Sequence, residues 1–77
     1  MNKARRSWIE SVINDLCEIQ GEIEEIHCEE QDALDNIPDS FSETERYYTA
    51  SEAVDNLDSA ICSIEELIDY LTEAKGE

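Results

Sequence analysis

Positive charge is scarce in this sequence. Five Lys and Arg stand against 21 Asp and Glu in 77 residues, for a formal net charge of -16. Lys3, Arg5, Arg6, Arg46 and Lys75 are scattered. They build no basic surface for nucleic acid, anionic lipid or heparin. Long apolar runs are missing too. None approaches the ~18 residues of a membrane span. No signal peptide is expected, because polar heptads begin soon after Met1. At roughly 100–200 residues per domain, a second domain has no room. There is no glycine-rich phosphate loop, no Cys-x-x-Cys and only one histidine. Nothing here compels an enzymatic reading. The cysteines are an odd set, Cys17, Cys28 and Cys62. A secreted domain of this size usually carries an even disulfide framework. They read as reduced thiols, which places the protein in the cytoplasm.

What the chain does have is apolar periodicity. Net charge this high favours disorder when apolar residues are few. Here the hydrophobic content is 40%, and it is regularly spaced. Ile9, Val12, Leu16, Ile19, Ile23, Ile26, Glu30, Ala33 and Ile37 follow each other in alternating threes and fours. Tyr47, Ala50, Val54, Leu57, Ile61, Ile64, Ile68 and Leu71 repeat the pattern. Such spacing marks the a and d positions of a coiled coil, here with Ile9 and Tyr47 at a.

Pro38 ends the first run, since it disfavours helical geometry at Ile37 and offers no N–H. Ser40-x-x-Glu43 and Ser42-x-x-Glu45 are both possible capping boxes for a second helix. Asn2 is a fair first N-cap, and Gly76 a natural stop. The sequence therefore predicts helix 1 over about 3–36, a loop over 37–42 and helix 2 over about 43–75. So short a loop makes the helices antiparallel. Folding back pairs Ile37 with Tyr47, Ile23 with Ile61, Leu16 with Ile68 and Trp8 with Ala74.

Ile13 and Leu34 flank the first seam at e positions, and Ala53, Ala60 and Ala74 flank the second at g. A lone hairpin of this size supplies a small core. The fold expected is all-α: an antiparallel two-helix coiled-coil hairpin that dimerises into a four-helix bundle. Acids beside the seams (Asp15, Glu22 and Glu29 at g, Asp58 and Glu65 at e) oppose association, so salt should strengthen it. Lys3, Arg5 and Arg6 are expected to pair with Asp69 and Glu73 where the two ends meet.

Side-chain constellations with chemical potential are few. Glu24-Glu25-Ile26-His27 contains the Glu-x-x-His of di-iron bundles, with Glu30 nearby. Helix 2 offers no matching inward carboxylate at that level, so the ordinary expectation is a half-buried His27 bonded to Glu30. No metal and no cofactor is expected. The cysteines should be exposed thiols. Tyr47 and Trp8 should plug the ends of the hairpin, Phe41 should pack on the loop, and Tyr48 and Tyr70 should be exposed.

Between Glu10 and Asp69 the sequence has 19 acids and one base, Arg46. One account is a solvated surface that keeps an apolar seam soluble. The other is imitation of nucleic acid. Duplex DNA carries one charge per ~1.7 Å, and a ~50 Å rod with this net charge carries one per ~3 Å. Glu18, Glu22, Glu25, Glu29, Asp32, Asp55, Asp58 and Glu65 are the expected contact residues for a basic protein.

The stretch Glu45-Arg46-Tyr47-Tyr48-Thr49-Ala50-Ser51-Glu52-Ala53-Val54-Asp55-Asn56-Leu57-Asp58-Ser59-Ala60-Ile61 has a familiar composition. It is preceded by Glu29-Glu30-Gln31-Asp32-Ala33-Leu34-Asp35-Asn36-Ile37-Pro38. Over about residues 22–74 the chain resembles small acidic helical-hairpin proteins of phages and mobile elements of Gram-positive bacteria. Some of those are anti-CRISPR or anti-restriction proteins that imitate DNA. The resemblance implies an inhibitor of a host nucleic-acid-binding defence protein, and it carries over no site residue. The expected function is thus non-enzymatic protein binding through an acidic surface. The alternatives are a structural or adaptor module that binds partner helices through its apolar seam, sensitive at Ile13, Leu34 or Leu67, and a bundle metalloprotein using Glu24, His27 and Glu30.

Overall fold

The computed structural model describes residues 1–41 and 44–76. Helix α1 spans Lys3–Asp35 and helix α2 spans Glu45–Lys75, with one turn of 3-10 helix at Asp39–Phe41 between them. The helices pack against each other along their length as an antiparallel hairpin, 59 Å long and only 15 by 14 Å across. Among the described residues there is no strand.

The helix ends follow from local chemistry. Asn2 caps α1, its side chain accepting from the Arg5 N–H at 2.8 Å. The last turn closes with Asn36 N–H donating to the Asp32 carbonyl and Ile37 N–H to that of Leu34. Pro38, with no N–H, then breaks the ladder. At the far end, Gly76 adopts φ 70 and donates its N–H to the Glu73 carbonyl. Only glycine takes that conformation without a steric cost.

Helix α2 begins two residues later than expected. Its cap is Thr44, whose hydroxyl accepts from the Tyr47 N–H and donates to the Phe41 carbonyl at 2.7 Å. Ser40 does not cap it, because Asp39–Phe41 already forms the 3-10 turn. Ser42 and Glu43, which carried the other halves of the expected capping boxes, lie outside the described residues.

The seam on α2 is the expected one. Tyr47, Ala50, Leu57, Ile61, Ile68 and Leu71 are half-buried, and Val54 and Ile64 are buried. The seam on α1 is rolled by one row. Ile9, Leu16, Ile23, Glu30 and Ile37 face α2 as expected, but their companions are Ile13, Gln20, His27 and Leu34. Val12, Ile19, Ile26 and Ala33 are exposed instead. The reason is geometric. Each helix carries apolar residues on three adjacent rows, a stripe wider than a strict coiled-coil seam. A single neighbour covers two of those rows and leaves the third in water.

One other expectation fails at an end. Trp8 is 71% exposed and plugs nothing. Phe41, half in solvent, lines a groove at the loop with Ile37 and Pro38. Tyr47 is half-buried and meets Tyr48 edge-on, with ring centroids 5.9 Å apart.

Candidate interaction surfaces

The roll of α1 divides the outside of the hairpin into three surfaces. On one side, the d row of α1 (Arg5, Val12, Ile19, Ile26, Ala33) lies beside the g row of α2 (Arg46, Ala53, Ala60, Leu67, Ala74). Two grooves confirm the neighbourhood. One, near the loop, is lined by Glu30, Ala33 and Ile37 of the first half and by Glu45, Arg46, Thr49, Ala50 and Ala53 of α2. The other, near the termini, brings Arg5, Trp8 and Val12 together with Leu71. Between them Ile19, Ile26 and Leu67 stand open to solvent at 45%, 54% and 44% exposure. The next row of α2 continues this side with Thr49, Asn56, Ser63 and Tyr70. These three rows hold fourteen positions and no acid, in a chain with 21 acids among 77 residues.

The opposite side is polar. His27 Nε2 lies 2.8 Å from Asp58 Oδ1 there. The carboxylate oxygen sits off the line of the ring N–H, so the pair is a close contact without a hydrogen bond. It becomes an ion pair only when the imidazole is protonated. Asp58, not Glu30, is therefore the neighbour of His27. Lys75 Nζ pairs with Glu10 on the same side. The ion pairs expected for Lys3, Arg5 and Arg6 with Asp69 and Glu73 do not form among the described residues. The basic N-terminal turn of α1 stays in solvent, and the last turn of α2 is tied down by its own lysine.

The third surface is the back of α1, directly away from α2. Glu18, Glu22, Glu25, Glu29 and Asp32 all stand exposed there. They alternate at spacings of four and three, so they line one helical ridge. No base interrupts them. Asp55, Asp58 and Glu65 are also exposed, but they sit on the far flank of α2. The hairpin thus splits the eight expected contact residues into a set of five on α1 and a set of three on α2. Glu10 and Glu24, on the same flank as Asp58, extend the second set.

The remaining chemical candidates stay apart. No three His, Cys, Asp or Glu side chains come close enough to hold a metal ion among the described residues. Glu24 is exposed, while His27 and Glu30 are half-buried. Cys17, Cys28 and Cys62 are free and exposed, as expected. No helix is long and apolar enough to cross a membrane among the described residues. No family model, curated protein or solved structure matches the chain.

Proposed function

We propose that this chain is a non-enzymatic binding module of the cytoplasm that offers its acidic back to a basic, nucleic-acid-binding protein. The observation that carries this reading is the ridge of Glu18, Glu22, Glu25, Glu29 and Asp32, five exposed carboxylates without a base. At 1.5 Å per residue they span ~21 Å, about one charge every 5 Å. One strand of DNA carries a charge every ~3.4 Å. A groove built for a phosphate strand finds there a rigid row of anions with related spacing. The carboxylates already stand in water on a preformed helix, so little ordering opposes binding. The flank set of Asp55, Asp58 and Glu65 widens the acidic field around the rod. The resemblance to small phage and mobile-element proteins makes a host defence protein the first partner to examine.

Binding of this kind is electrostatic. It weakens steeply with salt, and duplex DNA competes with it. The test compares the natural chain with a Glu18→Lys, Glu25→Lys, Asp32→Lys variant as bait in lysate of the cells that carry it. Proteins retained by the natural chain, lost from the variant and displaced by duplex DNA support the reading. Retention that ignores the variant, salt and DNA overturns it.

A further inference from the structure

The side of the hairpin built from the three acid-free rows, with Glu30 and Glu45 at its edge near the loop, has no neighbour among the described residues. We propose that a second copy of this chain covers it, forming a four-helix bundle in which both hairpins point the same way. This does not rest on the proposed function, which uses the back of α1, although the Glu22 and Glu29 row borders both surfaces.

Three observations converge on this occupant. Among the described residues the hairpin alone buries only Val54 and Ile64. Ordering a residue costs ~1–2 kcal/mol of backbone entropy, so so thin a core calls for more burial. Second, α1 turns its Ile13, Gln20, His27 and Leu34 row inward and leaves the more apolar Val12, Ile19, Ile26 and Ala33 row outside. A hairpin meant to stand alone would gain by the reverse choice. Third, the three rows of the uncovered side carry no acid in a chain rich in it, and Glu30 and Glu45 enter only at its edge near the loop. An acidic copy meets the least repulsion from another through such a side.

Charge also selects the arrangement. Asp15, Glu22 and Glu29 border the apolar side on α1. If the two hairpins pointed in opposite directions, α1 would lie on its own copy and this acidic row would meet itself. If they point the same way, with the two-fold axis along the rod, α1 lies on the partner's α2. The acidic row then faces the uncharged row that contains Asn56, Ser63 and Tyr70, which offer N–H and O–H donors. Trp8 comes to lie against the partner's last turn, where the small Ala74 leaves room. Neighbouring helices stay antiparallel throughout, the arrangement that their dipoles favour.

The test uses the full chain under reducing conditions. Sedimentation equilibrium should give twice the chain mass, with dissociation decreasing as salt rises. Ile19→Glu and Ile26→Glu, which put acid on the covered side, should each raise the dimer Kd at least ~100-fold. Glu24→Lys on the polar side should not raise it. Should a variant unfold on dissociating, the thermal midpoint of the natural chain, rising with protein concentration, still reports the dimer. Orientation is read from spin labels at Ala4→Cys, with Cys17, Cys28 and Cys62 changed to Ser. Same-way hairpins put the labels ~30 Å apart, and opposed hairpins ~50 Å. A folded monomer at millimolar concentration overturns the proposal. So does a dimer that survives Ile26→Glu, or a label distance of the longer class. Capture of a different protein by the same face, with no self-association, also overturns it.

Discussion

His27 of α1 and Asp58 of α2 meet at 2.8 Å on the polar edge of the seam. The contact shares one register with Glu10 and Lys75, which pair on the same edge with the matching offset. Register alone does not make it strong. The Asp58 side chain is 60% exposed, and exposed pairs contribute only ~0.2–1 kcal/mol. A double-mutant cycle with His27→Gln and Asp58→Asn, followed by urea unfolding, should give a coupling within that range. A coupling of several kcal/mol would mark the pair as part of a dry core that the fold does not have.

The few buried side chains should dominate stability. Ile64→Ala should cost ~2 kcal/mol, at the low end for buried Ile to Ala because the seam is narrow and water can enter. Glu66→Ala, about half a turn further along α2 on the exposed surface, should stay within ~0.5 kcal/mol. Urea midpoints at one fixed protein concentration measure both.

Thr44 holds the start of α2 through two hydrogen bonds, one accepted and one donated. Thr44→Ala should therefore lower stability by ~1 kcal/mol. Ser40→Ala should leave it unchanged within ~0.5 kcal/mol, since Ser40 sits in the 3-10 turn. Circular dichroism melts of the two variants separate them. Equal losses would move the cap back to the position that sequence pattern favours.

The two glycines should respond in opposite directions. A Cβ at Gly21 meets nothing within 4 Å, and the residue lies in the exposed middle of α1. Gly21→Ala should stabilise by ~0.5–1 kcal/mol, or a few degrees in Tm. Gly76 has φ 70. Gly76→Ala should shorten α2 by strain at its end, lowering helicity there. Hydrogen exchange at the last amides reads that loss directly.

Much of this architecture is legible in the residues. Asn2, Pro38 and Gly76 mark three of the four helix ends by chemistry that works locally. The α2 seam follows from its spacing alone. The roll of α1 is not legible, because Val12 and Ile13 are both apolar and both near the seam. Which of them turns inward depends on how two three-row stripes share one contact, a property of the pair. Thr44 is not legible as a cap, because Tyr47, not an acid, stands three residues after it and no capping box signals it. The size of Trp8 predicts an end plug, but its row points outward once α1 is rolled. The acidic candidates are legible as charge. Their division between the back of α1 and the flank of α2 depends on how the helices pack.

Salt acts on the two proposed contacts with opposite signs. Screening strengthens association through the apolar side, where net charges repel. It weakens binding through the acidic back. A single salt titration on one protein sample can therefore show both trends.

The most direct measurement of the central claim is competitive release from the acidic ridge. The natural chain is immobilised beside the Glu18→Lys, Glu25→Lys, Asp32→Lys variant and beside polyglutamate, in lysate at low salt. A nucleic-acid-binding protein should be held by the natural chain alone, and released by duplex DNA and by salt. A bound protein that polyglutamate captures equally, or that stays bound through high salt and excess DNA, would contradict it.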